Sequence, residues 1–296
     1  IHLLANGIPW KAGDEILTMQ NDFPTNILPW LALEERGVKV IQAKATHRVL
    51  TPEELKANIS PRTKLFCISH VHSFLGYKLD VESFGKICRE KGVIFVANLS
   101  QSLGSFPIDV SQMGADAVVC AGYKWLCGPY GTGFVWIKPE LRRQLKFNQA
   151  YWQFMLTEEE LQSEGPIKLR ELSTARKYDI FATANFFNYA PWRTAIEYWL
   201  DVKLENVQQY NHQLIDHFMS TLDPKKYRLV SPKEGPGRSN LVVFSHQDVS
   251  LNAKIHRDLI AQGIYTAFWK GHIRVSPHVY NTIDELTRLC LILNQQ

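Results

Sequence analysis

One lysine in this chain sits where an amine could be put to chemical use. Lys124 lies between an apolar run, Ala117 to Cys120, and a glycine-rich loop, Gly128-Pro129-Tyr130-Gly131-Thr132-Gly133. The run offers it little solvent, and the glycines let the backbone turn tightly and approach a neighbour closely. A lysine held in such a place can have a lowered pKa and act as an amine nucleophile, for instance as a Schiff base with a carbonyl. Three further polar clusters follow apolar runs in the same way as Gly122-Tyr123-Lys124. They are Gln20-Asn21-Asp22-Phe23, His70-Val71-His72-Ser73 and Asn98-Leu99-Ser100-Gln101-Ser102.

The elements that must position these clusters follow from apolar patterning and turn signals. Strands are expected at 15–19, 38–41, 64–69, 93–97, 117–120 and 133–137. Helices are expected at 26–36, ended by Gly37, and at 81–91, ended by Gly92. Another opens at Thr51, with Thr51 as cap, Pro52 in the first turn and Glu54 three residues after the cap. Nearly all-apolar strands alternating with helices predict a mostly parallel sheet covered on both faces. Ligands bind such sheets beyond the carboxyl ends of the strands, so the four clusters should converge on one crevice. From Ala190 the character changes. A long helical pattern, Pro191 to Leu222 with a break near Asn206, leads to strands at 227–230 and 241–244, a helix at 252–262, a strand at 273–275 and a final helix from Ile283. This predicts a large unit over 1–195 and a small α+β unit over 196–296.

Composition narrows the class. Of 296 residues, 45% are hydrophobic and 21% charged, enough for an ordinary core. The net charge of +4 is spread along the chain, which argues against a nucleic-acid partner. No apolar run approaches the length of a membrane span. Five cysteines without paired spacing predict reduced thiols in a cytoplasmic protein. Cys120 and Cys127 read as small buried hydrophobes, Trp192 and Trp199 as core, and Tyr151 and Trp152 as candidates for the crevice wall. His70 reads as a satisfied strand-end histidine. His256, His272 and His278 lack metal-ligand spacing, so no metal is expected. The opening residues Ile1 to Gly7 read as the end of a helix closed by a glycine, which predicts more chain upstream.

Five stretches in order carry a resemblance. They are Phe23-Pro24-Thr25-Asn26-Ile27-Leu28-Pro29-Trp30, Ser69-His70-Val71, Asn98-Leu99-Ser100-Gln101-Ser102, Gly122 to Pro129 with Gly131-Thr132-Gly133, and Ile273 to Thr282. Together they resemble the class V aminotransferase family, over nearly the whole chain. That family has the fold-type-I architecture, depends on pyridoxal 5′-phosphate (PLP), and includes cysteine desulfurases, C–S lyases, kynureninase and isopenicillin N epimerase. The resemblance implies a mostly parallel seven-stranded sheet with a small C-terminal α+β domain, and an amino acid substrate. It implies that Lys124 holds PLP as a Schiff base and then serves as general base, that Phe23 stacks on the ring, and that Gln101 hydrogen-bonds the ring's 3′-oxygen. Arg274 would grip the substrate α-carboxylate. Tyr123 would lie near the phosphate, and Thr183 would reach the phosphate of a partner subunit's PLP, making the protein a homodimer with shared active sites.

Two departures stand out. The family carries aspartate where this chain has Asn98, and that aspartate keeps the pyridine nitrogen protonated; asparagine supplies no charge. The family's phosphate-binding loop would lie before Ile1. The stretch Ile264 to His272 also contains no cysteine, which disfavours a persulfide-forming desulfurase and leaves C–S or related β-lyase, epimerase and aminotransferase. Asn98 and the absent loop support a rival reading, a non-catalytic relative kept for binding or assembly.

Overall fold

The computed structural model describes residues 1–146, 148–179 and 185–296. Six strands form the main sheet: β1 (Glu15–Met19), β2 (Lys39–Ala43), β3 (Thr63–Ser69), β4 (Ile94–Asn98), β5 (Ala117–Ala121) and β6 (Gly133–Ile137). Their order is β2-β1-β3-β4-β5-β6. The first five run parallel, and β6 runs antiparallel to β5. The direction follows from the connections. Helical crossovers such as Pro52–Asn58 and Val81–Lys91 return the chain to the same end of the sheet. The β5–β6 link, 122–132, is a loop without a helix, so β6 must come back the other way.

The expected seventh strand is corrected to six among the described residues. The apolar runs of the sequence supply six, and nothing described reaches the outer edge of β6, where Phe134, Val135 and Trp136 are exposed. Both faces of the central strands β1, β3, β4 and β5 are buried, with a period of two along each strand, while edge strand β2 is mostly exposed. Leu17 and Met19, Phe66 and Ile68, Phe95 and Ala97, and Val118 and Cys120 join one core. Ile16, Leu65, Cys67, Val96 and Ala117 point to the other. Each such Leu, Ile or Phe contributes roughly 1.5–3 kcal/mol by leaving water. The helix after β2 begins as expected, with Thr51 and Glu54 in a reciprocal capping box.

The segment expected to be one helix at 26–36 is instead three short turns, 24–26, 28–31 and 34–36, ended by Gly37 at φ 77°. The long helix breaks at Lys203, with φ 67°, rather than near Asn206, giving Phe186–Val202 and Leu204–Thr221. A second, antiparallel sheet follows, with β7 (Tyr227–Leu229), β8 (Val242–His246), β9 (Ala267–Trp269) and β10 (His272–Val275) in the order β7-β8-β10-β9. Three-residue β9 is too short to stand out in sequence. It pairs with β10 through a tight turn at Lys270 and Gly271, both at positive φ. Ile273 and Val275 of β10 face a separate core built on Leu214, Phe218, Phe244 and Leu289. Alternation therefore turns Arg274, between them, away from that core. Among the described residues, no helix is long and apolar enough to cross a membrane.

Candidate active site

The carboxyl ends of β1, β3 and β4 build a buried polar floor. Asp22 follows β1 and is 2% exposed. Its Oδ1 accepts from the Phe23 backbone N–H at 2.7 Å, and its Oδ2 accepts from the Ser69 backbone N–H at 2.9 Å and from Asn26 Nδ2 at 2.8 Å. Asn26 Nδ2 also donates to Ser69 Oγ at 2.8 Å. At the end of β4, in register with Ser69, Asn98 donates from Nδ2 to Asn26 Oδ1 at 2.8 Å. Its Oδ1 accepts from the Ser100 N–H at 3.0 Å. Nearby, His72 bonds the Asn21 carbonyl through Nε2 at 3.0 Å. Burial pushes its pKa down, against the pull of the Asp22 carboxylate. His70 bonds Ser102 Oγ at 3.1 Å and is lowered to about 4, by burial first and then by Lys78.

Lys124 stands over this floor on the β5–β6 loop. The loop closes on itself through Gly122 N–H to the Thr132 carbonyl at 2.9 Å and Gly128 N–H to the Gly122 carbonyl at 2.8 Å. It packs under Trp192 so tightly that a Cβ at Gly128 would meet the indole Cδ1 at 2.5 Å. The glycines thus serve a close approach of backbone to an aromatic ring. The Lys124 amine lies 5.1 Å from the centroid of the Phe23 ring. Its pKa is lowered to about 8, chiefly by burial and then by the Arg274 guanidinium. At pH 7 about a tenth of such an amine is neutral, against a few in ten thousand for an ordinary lysine.

Two cavities share this lysine. The larger, about 430 Å³, is lined by Phe23, Ser69, Asn98, Gln101, Tyr123 and Lys124, among others. The smaller, about 230 Å³, is lined by Gln101, Tyr123, Lys124, Arg274, His278 and Tyr280, among others. Arg274 Nη1 donates to the Ser73 carbonyl at 2.7 Å, while its buried Nε has no partner. Among the described residues no carboxylate pairs with Arg274. A half-buried guanidinium without an anion is a strong site for a ligand carboxylate.

Phe23, Asn98, Gln101, Tyr123, Lys124 and Arg274 are therefore gathered at these two adjoining cavities. Thr183 lies outside the described residues. Tyr151 and Trp152 line neither cavity; the first is buried elsewhere and the second exposed. Cys127 is exposed, not a buried hydrophobe, because the loop lifts it out at φ 50°. Cys120 is buried, and its thiol is pushed up to about 12. Sequence reasoning passed over Asp22, Asn26, Ser69 and Ser73, although all four lie within or beside the quoted strand-end stretches. A polar residue that repeats at strand ends without turn chemistry to explain it was the available signal.

The family model described as aminotransferase class-V matches residues 1–292. The chain belongs to the class V aminotransferase family. A probable cysteine desulfurase of Methanothermobacter thermautotrophicus is 25% identical to it over 98% of this chain and 74% of that protein. A probable cysteine desulfurase of Borreliella burgdorferi is 27% identical, over 97% of this chain and 71% of that protein. Among solved structures, the apo cysteine desulfurase of Thermococcus onnurineus superposes with a TM-score of 0.87 at 23% identity, covering 99% of this chain and 76% of that one. A cystine C–S lyase in complex with cysteine persulfide gives 0.87 at 22% identity, covering 99% and 78%. These likenesses show a fold-type-I arrangement for this class V aminotransferase.

Class V aminotransferases are PLP-dependent enzymes, and the residues present fit that cofactor. A free amine of lowered pKa faces an aromatic ring across a cavity. At the cavity floor one of the two Asn98 amide N–H bonds has no partner among the described residues.

Proposed function

We propose that this chain is a PLP-dependent lyase that breaks a carbon–sulfur or related bond at Cβ of an amino acid. The observation that carries this reading is that Lys124 and Arg274, which has no carboxylate partner among the described residues, line one cavity, while the Phe23 ring, 5.1 Å from the amine, lines the adjoining one. PLP, when bound, supplies an aldehyde for an amine to condense with and a conjugated ring that draws electrons from Cα. Lys124 would hold it covalently, Phe23 would cover the ring, Gln101 would reach its 3′-oxygen, Asn98 would meet its nitrogen, and Tyr123 and Thr183 would stand near its phosphate. Arg274 would take the substrate α-carboxylate in a bidentate grip and so aim the Cα–H bond at the lysine. Lys124, once free, would be the base for that proton, and a pKa near 8 suits it to the role.

Two considerations favour the lyase over its relatives' printed activity. The hairpin of β9 and β10 and the residues leading into it, 264–272, carry no thiol to receive sulfur. Cys127 is exposed, but its thiol is pushed up by burial of its surroundings, the opposite of an activated nucleophile. A sulfur-bearing substrate is supported by the names of the relatives. We also propose a homodimer, in which Thr183 serves the partner's cofactor, and a division into units 1–195 and 196–296; the two sheets have separate cores, although Trp199 and Val207 of the second unit pack into the core of the first.

The test is direct. Purified protein mixed with PLP is expected to turn yellow, and borohydride should then fix the cofactor to the peptide that contains Lys124. Lys124→Ala should abolish both. The loaded protein, offered L-cysteine, L-cystine and other β-substituted amino acids, should release pyruvate and ammonia together with sulfide or persulfide. A protein that takes up no cofactor would instead support the non-catalytic reading, which Asn98 favours.

A further inference from the structure

We infer that Asp22, acting through Asn26, fixes Asn98 as a hydrogen-bond donor to the cofactor's ring nitrogen and so holds that nitrogen unprotonated. This rests on the PLP reading above.

The argument is one of hydrogen-bond polarity. Asp22 accepts three N–H bonds, from Phe23, Ser69 and Asn26. A carboxylate can only accept, so the Asn26 amide must present its nitrogen to Asp22. Its oxygen therefore faces Asn98. An oxygen there demands an N–H in return, which Asn98 Nδ2 provides at 2.8 Å. The Ser100 backbone N–H independently claims the oxygen of Asn98 at 3.0 Å. A backbone N–H can only donate, so two unrelated constraints give the same orientation. Turning Asn26 over would set its oxygen against a carboxylate. Turning Asn98 over would set two amide oxygens against each other and two N–H groups against each other. Asp22, Asn26 and Asn98 are 2%, 0% and 7% exposed, so water cannot repair either mismatch.

Asn98 therefore has one amide hydrogen without a partner among the described residues, and Asn98 is one of the residues that line the larger cavity. A donor at that point requires an acceptor, which a pyridine nitrogen is only when it carries no proton. The negative charge that the family places beside the ring is carried in this chain by Asp22, behind two amides, Asn98 and Asn26. There its oxygens are occupied by the chain's own donors and cannot hold a ring proton. The polarity also bears on reaction class. An unprotonated ring draws electrons less strongly, so reactions that leave the electron pair on the cofactor are disfavoured. Elimination avoids that demand. The Cα–H proton goes to a base, its electron pair becomes the Cα–Cβ double bond, and the Cβ–S pair leaves with sulfur, which takes a proton as thiol. Amino-group transfer has no such exit.

The full-length protein loaded with PLP labelled with ¹⁵N in the ring tests this by nitrogen NMR. The wild type is expected to show an unprotonated ring nitrogen that does not titrate across the neutral range. Asn98→Asp should move the signal to the protonated position and shift products from pyruvate towards half-transamination. Asp22→Asn should release the Asn26 amide, leave the Ser100 N–H as the one constraint on Asn98, and move or split the signal. Asn26→Ala cuts the same relay without touching the carboxylate and should do likewise, so the relay stays testable if Asp22→Asn does not fold. A protonated nitrogen in the loaded wild type overturns the inference and leaves the PLP reading intact. A wild-type signal in both Asp22→Asn and Asn26→Ala removes Asp22 from it. A protein that binds no PLP overturns the reading beneath.

Discussion

The Asp22 end of the site and the Arg274 end are both buried and both carry charge, but they differ in what surrounds the charge. Asp22 has three N–H donors within 2.9 Å, all from this chain. Arg274 has one backbone carbonyl, an orphaned Nε and no carboxylate among the described residues. The nearby lysine gives up much of its proton affinity, first to burial and then to this second cation. A finished network holds its orientation whether or not a ligand is bound, and so can set the character of the site in advance. An unfinished pair of cations leaves favourable interactions to be made only when an anion arrives. The difference teaches which part of the site orients and which part binds.

The largest expected effect comes from removing the unfinished end. Arg274→Ala should raise KM for an amino acid substrate by roughly 100-fold, about 3 kcal/mol, because a buried carboxylate would lose its charged partner. Arg274→Lys should recover only part of this, since an ammonium cannot form the two parallel bonds of a guanidinium. Steady-state kinetics on both variants, with cofactor loading checked by absorbance, measures it. A KM within about twofold of wild type in Arg274→Ala would erase the contrast, because the substrate carboxylate would then bind elsewhere.

A smaller effect concerns what holds the lysine between the two ends. Gly128→Ala would set a Cβ 2.5 Å from Trp192 Cδ1 and 2.7 Å from Thr132 Oγ1. Either the indole or the loop must move, at a cost of about 1–3 kcal/mol. Urea unfolding should show the loss, and borohydride trapping should show less cofactor on Lys124. Unchanged stability would mean that the loop tolerates separation from the helix Phe186–Val202 and is not what places the amine.

How much of this could be read from residues alone differs between the two ends in the same way. The strands were legible because they are apolar runs whose alternate residues fill two cores. Arg274 was legible through its place in the stretch Ile273 to Thr282 that carries the family resemblance, and Lys124 as a lysine between a buried strand and glycines. Each of these depends on a local pattern. The Asp22 relay does not. Asp22, Asn26, Ser69 and Asn98 meet only because β1, β3 and β4 lie side by side in one register, and register is a property of the assembled sheet. Nothing in Gln20-Asn21-Asp22-Phe23 says which amide will face the carboxylate. The short strand β9 was missed for a related reason, whereas the seven-strand count came from the family resemblance and not from the six apolar runs. Three-residue strands are decided by pairing partners, not by the segment's own composition.

The smallest expected effect separates the two causes of the lysine's low pKa. Burial is the larger cause and the Arg274 guanidinium the second. In the cofactor-free protein, acylation of Lys124 by an amine reagent should rise with pH through about 8, well below the 10.5 of an ordinary lysine. Arg274→Gln removes the like charge and should move the midpoint upward, but not back to 10.5, because the amine stays buried. The sign carries over to stability. The folded lysine releases its proton near pH 8 while the unfolded one keeps it to about 10.5, so between those values the unfolded state binds more protons and stability rises with pH. Below pH 8 both states are protonated, and the full cost of a charged, half-buried amine is present. In Arg274→Gln that rise should shrink. A midpoint that stays at the wild-type value would mean that the arginine's charge is spent on the Ser73 carbonyl and does not reach the amine, and the Arg274 end would then count as finished too.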